Sequence, residues 1–201
     1  MEKIKQIAIY GKSGHGKVLA DIAKLLGYSE IIWVDDDANK DAFTFLVYLE
    51  FYHTVPIALG VGDNTVRKEI MSKLSSHRLN IATLIHPRAV ISPSVEIGAG
   101  TVVMANVVVN ADSSIGKGSI LNSACVVEHD NVIGNFVHIS PNAALGGNVC
   151  IDSLSHIGIG TSVIQGKYIG ENSIIGAGSV VVDNIPANVT AVGAPARVIK
   201  Q

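Results

Sequence analysis

Three consecutive residues, Glu128-His129-Asp130, carry the most specific chemical suggestion in the chain. A carboxylate beside an imidazole can hold one ring nitrogen protonated and leave the other as a base near neutral pH. The bland alternative is a solvated surface histidine. His138 follows nine residues later and His156 eighteen beyond that. No HxH or HxxxxH spacing occurs among these histidines, so a zinc site is not expected.

A second cluster lies near the start, in Gly11-Lys-Ser-Gly-His-Gly16-Lys17. It approaches the phosphate loop of nucleoside triphosphatases, but Val18 stands where a Ser or Thr must hold Mg²⁺, which argues against ATP hydrolysis. The order G-x-x-G-x-G also departs from the dinucleotide pattern. Two readings remain open. The backbone N–H groups and the following helix N-terminus can approach one pyrophosphate, or the glycines merely permit a tight turn. Asp35, about 20 residues on at a strand end, favours the first, because an acid there can accept hydrogen bonds from a ribose or a base. His15 has a polar role available, although a lone loop histidine is more often solvated.

The elements that would position these groups can be read from the pattern. Residues 4–10 (IKQIAIY) predict a buried strand, Lys17 to Leu26 an amphipathic helix, and Glu30 to Val34 a second strand ending in Asp35-Asp36-Asp37. A strand from Pro56 to Leu59 leads through Gly60-Val-Gly-Asp-Asn64 into a helix from about Thr65 to Ser76. The succession βαβ then βα makes a small Rossmann-like α/β unit. Phe43 to His53 fits no period and is expected to be an edge segment or packing flap.

From Ile85 the pattern changes. Every sixth residue through Val181 is Ile, Val or Leu, seventeen positions without an interruption. The position four further on is mostly small, and Gly recurs just after the aliphatic. Such hexapeptides predict a left-handed parallel β-helix, three hexads and hence 18 residues per triangular coil, with coils stacked about 4.8 Å apart. Counting in coils places His129 over Gly147, His138 over His156, and Pro141, Ile159 and Ala177 in one column. His129 and His138 fall half a coil apart, so they could meet only across a subunit interface. The flat faces favour a closed ring, most simply a trimer.

Composition excludes several classes. Lys+Arg 15 against Asp+Glu 17 leaves no bias toward nucleic acid or anionic membrane. No apolar run approaches the roughly 18 residues of a membrane span or suggests a signal peptide, so a cytoplasmic protein is expected. Cys125 and Cys150 lack CxxC spacing and read as packing residues.

The motifs IYGKSGHG, WVDDD, IALGVGDN, LIHPRAVISPS, VVEHDNVIGNFVHIS and VGAPARVIK span the whole chain. Together they resemble the NeuD/PglD-like family of hexapeptide-repeat sugar-nucleotide acetyltransferases. The resemblance implies an acetyl-CoA-dependent N-acetyltransferase acting on the 4-amino group of a nucleotide-linked amino-deoxy sugar, with UDP the expected nucleotide, for bacterial surface glycan or glycoprotein synthesis. It implies that residues 1–80 bind the nucleotide sugar and residues 81–201 bind acetyl-CoA and carry the catalytic groups. His129 would be the general base and Asp130 would raise its basicity, although the family enzyme carries Glu there. His138, Gly147, Ile159 and Ala177 would bind acetyl-CoA. Gly14, His15, Gly16, Asp35, Asp36, Gly62 and Asn64 would form the nucleotide-sugar pocket. Arg197 and Lys200 could meet CoA phosphates or be solvated. A homotrimer with active sites at subunit interfaces and no metal is expected. An O-acetyltransferase acting on sialic acid or another sugar, and a non-catalytic nucleotide-sugar-binding module, are the alternatives.

Overall fold

A run of apolar residues that is buried on both faces makes a central parallel strand, and β1 (Gln6–Tyr10) is one. In a computed structural model that describes residues 5–200, β1 lies between β2 (Glu30–Val34) and β3 (Ile57–Leu59), all parallel, in the order β2-β1-β3. Ile7, Ala8 and Ile9 are fully buried. Ile4, expected in this strand, lies outside the described residues. Helix α1 (Gly14–Leu25) crosses from β1 to β2 and turns Leu19, Ala20, Ile22 and Ala23 inward as one stripe. Helix α3 (Asn64–Ser76) follows β3, with the Asp63 side chain accepting from the Val66 N–H.

Two expectations need correction. Helix α1 begins at Gly14, not Lys17, so Gly14-His15-Gly16 is its first turn rather than a loop. The turn is made earlier, by Gly11 at φ +110°. At Gly16 a Cβ would lie 2.0 Å from the Gly11 carbonyl oxygen, which explains the glycine there. The segment Phe43–His53 begins at the sheet edge as expected, with Phe43 bridging Val34 of the outer strand β2, but the rest is not a flap. It holds helix α2 (Phe45–Phe51), capped by Thr44 Oγ1 accepting from the Val47 N–H at 3.4 Å. Phe45 and Tyr48 bury one face of it. Seven residues are too few for a helical period to show in sequence.

The repeat produces the expected β-helix. Seventeen two-residue strands, from β4 (Leu84–Ile85) to β20 (Val180–Val181), recur every six residues, and each pairs in parallel with the strand 18 residues away. They form three faces, the first containing Leu84–Ile85, the second Val90–Ile91 and the third Glu96–Ile97. Each counted aliphatic is the second residue of its strand, and from Val103 to Val181 none is more than 3% exposed. Ile85, Ile91 and Ile97 are half-buried because their coil is the first of the stack. The small residues at the corners are buried, and their hydroxyls donate to carbonyls fifteen residues on, as Thr101 does to Gly116 (2.8 Å) and Ser155 to Gly170 (2.8 Å). The glycines after the aliphatics face the next coil's backbone. A Cβ on Gly134 would come within 2.5 Å of the Ser153 nitrogen.

The final coil is two residues short, since Ile174 pairs with Thr190. Strand β21 (Thr190–Val192) closes the first face, and β22 (Arg197–Lys200) folds back antiparallel on it. Cys125 is buried, Cys150 half-buried, and both are free thiols. Among the described residues, no helix is long and apolar enough to cross a membrane.

Candidate active site

His129 sits in the corner turn between strands Val126–Val127 and Val132–Ile133, where the second face meets the third. Asp130 takes φ +59° at this turn, and its Oδ2 is 2.7 Å from His129 Nδ1. That hydrogen bond holds the His129 imidazole above its ordinary pKa. Glu128, the other adjacent acid, is engaged elsewhere, its carboxylate accepting from Asn110 Nδ2 at 2.8 Å. The pair is therefore His129 with Asp130. One coil above, the ring lies so close to Gly147 that a Cβ there would be 2.6 Å from His129 Cε1. The His129 carbonyl accepts from the Asn148 N–H at 2.9 Å.

Sequence reasoning missed the residue that fixes this corner. Asn131 is fully buried; its amide donates to the carbonyls of Glu128 and Gly146, and its Oδ1 accepts from the Val149 N–H. The signal was present, because Asn131 occupies a corner position otherwise mostly filled by small residues.

His138 and His156 stand in register on the first face, with rings stacked 4.6 Å apart and 9° from parallel. His138 Nε2 faces Asn122 Nδ2 at 3.0 Å, and His156 Nε2 faces Ser140 Oγ at 2.8 Å. Burial, then the charges near it, push the His138 pKa down to about 3, so the ring is neutral. Both histidines open onto a cavity of about 500 Å³ that also includes Pro141, Ile159 and Ala177. Those three form the expected column, joined by Gly160 N–H to the Pro141 carbonyl (3.0 Å) and Gly178 N–H to the Ile159 carbonyl (2.8 Å). Gly147 does not line this cavity; it belongs to the His129 corner.

The residues expected around a nucleotide sugar divide between two places. Asp35 and Asp36 line a cavity of about 440 Å³ with Tyr10, Gly11, Ser13 and Lys73. Burial works against ionisation of Asp36, but hydrogen bonds from Tyr10 (2.5 Å), the Phe45 N–H (2.9 Å) and Lys73 (2.9 Å) outweigh it and hold the carboxyl low. Asp35 accepts from the backbone N–H groups of Lys12 and Asp37. Gly62 and Asn64 line a second cavity, of about 500 Å³, together with His138 and His156. His15 is largely buried rather than solvated, its Nε2 meets no protein partner, and burial with the Arg67 charge pushes its pKa down to about 4. Gly14 is exposed, with open space where a Cβ would stand. Tyr10, Lys73 and Arg67 were not anticipated. Arg67 could have been, since it shares a buried i, i+4, i+7 stripe with Met71 and Leu74.

Arg197 pairs with Asp183 at 3.2 Å on the exposed tail, and Lys200 is exposed. Among the described residues, no cluster of three or more His, Cys, Asp or Glu side chains is placed to hold a metal ion.

An α/β unit seated on a hexapeptide β-helix, with a histidine–carboxylate pair at one corner and an open column at another, defines the architecture of a hexapeptide acyltransferase. Residues 6–74 match the family described as the PglD N-terminal domain. UDP-N-acetylbacillosamine N-acetyltransferase of Bacillus subtilis (strain 168) is 41% identical over 115 residues, 50% of this chain and 52% of that protein, so the chain spans about half the length of this curated relative. Two solved structures match nearly end to end. The acetyltransferase domain of PglB from Neisseria gonorrhoeae FA1090, in complex with acetyl coenzyme A, has TM-score 0.91 and 38% identity, covering 98% of this chain and 100% of that one. PerB from Caulobacter crescentus, in complex with CoA and GDP-perosamine, has TM-score 0.91 and 36% identity, covering 98% of each chain. The chain belongs to the NeuD/PglD-like family of hexapeptide-repeat sugar-nucleotide acetyltransferases.

Proposed function

We propose that the protein transfers acetyl from acetyl-CoA to the amino group of a nucleotide-linked amino-deoxy sugar, with His129 as general base. The observation that carries this is the 2.7 Å contact of His129 Nδ1 with Asp130. With Nδ1–H donated to the carboxylate, Nε2 keeps its lone pair and accepts the proton that the attacking amine loses. Attack of the amine nitrogen on the thioester carbonyl gives a tetrahedral oxyanion, and its collapse releases CoA thiol. The Gly147 backbone N–H, beside the ring, is the donor assigned to that oxyanion. No cysteine or serine hydroxyl is hydrogen-bonded to His129 among the described residues, so direct transfer is favoured over an acyl-enzyme.

The acetyl-CoA arm is assigned to the column of Ile159 and Ala177 beside His138. Residues 1–80 are assigned to the nucleotide sugar, through Gly14, His15, Gly16, Asp35, Asp36, Gly62 and Asn64, and residues 81–201 to acetyl-CoA. Because His129 and the Ile159 column occupy different corners of one prism, the complete site is assigned to the interface of a homotrimer. PerB, with GDP-perosamine bound, and the Bacillus relative, named for a UDP sugar, support an amino-sugar nucleotide and leave the base to experiment. The test is release of free thiol from acetyl-CoA against UDP-, GDP- and dTDP-linked 4-amino sugars. Release with one of them, giving an N-acetylated product, is expected. Release only with hydroxyl acceptors would make it an O-acetyltransferase, and none with any acceptor would leave a binding module.

A further inference from the structure

The junction between the α/β unit and the β-helix is built around a buried cation. Arg67, on α3, is 1% exposed. Its Nε donates to the Gly118 carbonyl (2.6 Å), Nη1 to the carbonyls of Val61 (3.2 Å) and Gly62 (2.8 Å), and Nη2 to Asn64 Oδ1 (2.6 Å) and the Phe136 carbonyl (3.1 Å). All five N–H groups are thus used, on acceptors that carry no charge. Among the described residues no carboxylate lies within ion-pair distance of it. Burying such a cation is costly, and an apolar residue like the neighbouring Met71 or Leu74 would fill the stripe more cheaply. A rigid five-donor fork is what an apolar residue cannot supply.

The acceptors show what the fork joins. Gly118 and Phe136 are corners of successive coils, 18 residues apart, while Val61 and Gly62 lie between β3 and α3 and Asn64 is the first residue of α3. By taking Asn64 Oδ1, Arg67 turns the amide so that Nδ2 donates to the carbonyls of Leu154 (2.9 Å) and Ser155 (3.1 Å), the next corner in the same column. One guanidinium therefore pins this segment to three coils. The same segment is the wall that faces His138 and His156 across the second cavity. Arg67's charge also helps keep His15, His138 and His156 neutral.

We propose that Arg67 is a positioning residue that sets the Gly62–Asn64 wall against the β-helix and so shapes the nucleotide-sugar side of the site without touching substrate. This rests on the function proposed above. Lysine keeps the charge but offers three donors from one point, which cannot span five planar acceptors. Arg67→Lys is therefore expected to raise KM for the nucleotide sugar by about tenfold or more, with KM for acetyl-CoA within about twofold, because the Ile159 and Ala177 column is built by the β-helix alone. Amide hydrogens of residues 61–66 are expected to exchange about tenfold faster, with β-helix amides unchanged. A folded Arg67→Lys protein with both KM values unchanged, or with both raised alike, overturns the proposal. Should that variant not fold, Arg67→Met, which fills the buried stripe beside Met71 and Leu74 without leaving an unpaired charge, removes the fork and is judged by the same KM split. If the wild type acetylates none of the sugars, the function fails and exchange decides alone: faster exchange confined to 61–66 supports the positioning role, and unchanged exchange there overturns it.

Discussion

His129 and Asp130 have a pH behaviour of defined sign. The base proposed for His129 must be neutral to act, and the bond to Asp130 raises the imidazole pKa, so on that proposal kcat/KM should climb as pH rises through the raised value. Asp130→Asn removes the carboxylate, lowers the imidazole pKa, and should move the acidic limb to lower pH while reducing the plateau. Coincident limbs in the two profiles would show that His129 is not the titrating base. His129→Ala should lower kcat by about 10²–10⁴ with no loss of thermal stability, since the side chain is 61% exposed in the single chain. Gly147→Ala tests the packing of the ring from the other side. A methyl group 2.6 Å from His129 Cε1 must displace the imidazole, and a shift of about 1 Å is expected to cost about 10²-fold in kcat with the fold intact. Crystallographic placement of the ring in that variant would check the cause.

At the scale of elements, the coil stack is tight wherever a glycine follows the buried aliphatic. Gly134→Ala puts a Cβ 2.5 Å from the Ser153 nitrogen, and backbone has no rotamer with which to yield. A loss of about 1–3 kcal/mol in denaturant unfolding is expected. An unaltered midpoint would mean that the coils have more slack than their spacing implies. This regularity explains what was legible in advance. A repeat that imposes the same packing demand seventeen times writes its period into the sequence, and the stacking of His129 on Gly147 and of His138 on His156 followed from counting alone. The start of α1 and the whole of α2 did not, because a seven-residue helix with one buried face leaves too short a pattern. The junction was legible only as far as the place of Arg67 on a buried stripe: its partners are main-chain carbonyls as far as 69 residues away, and main-chain acceptors have no residue type to read. The histidine and a neighbouring carboxylate could be named from adjacent letters, and the resemblance pointed to Asp130; what the letters did not show is the left-handed turn that aims Asp130, rather than Glu128, at the ring.

For the whole molecule, the decisive prediction concerns sharing. If each site takes His129 from one subunit and the Ile159 column from its neighbour in a trimer, the mass in solution should be about three times 21.1 kDa. Mixed trimers of His129→Ala subunits with Ile159→Arg subunits should then regain activity that neither variant has alone, because some interfaces combine two intact halves. Absence of complementation in verified mixed trimers would place the whole site within one chain. The two ends of the prism bear on the same question. A stack of parallel coils is in principle endless, each exposed rung being a template for another. Here the first rungs lie against α1 and the isolated bridge of Ile81 to Ile57, while the shortened last coil ends in a strand that runs the wrong way for another copy to continue. The first face is thereby closed to growth along the axis at both ends, as a fibre is terminated by a mismatched cap, which suits the side-by-side assembly proposed above.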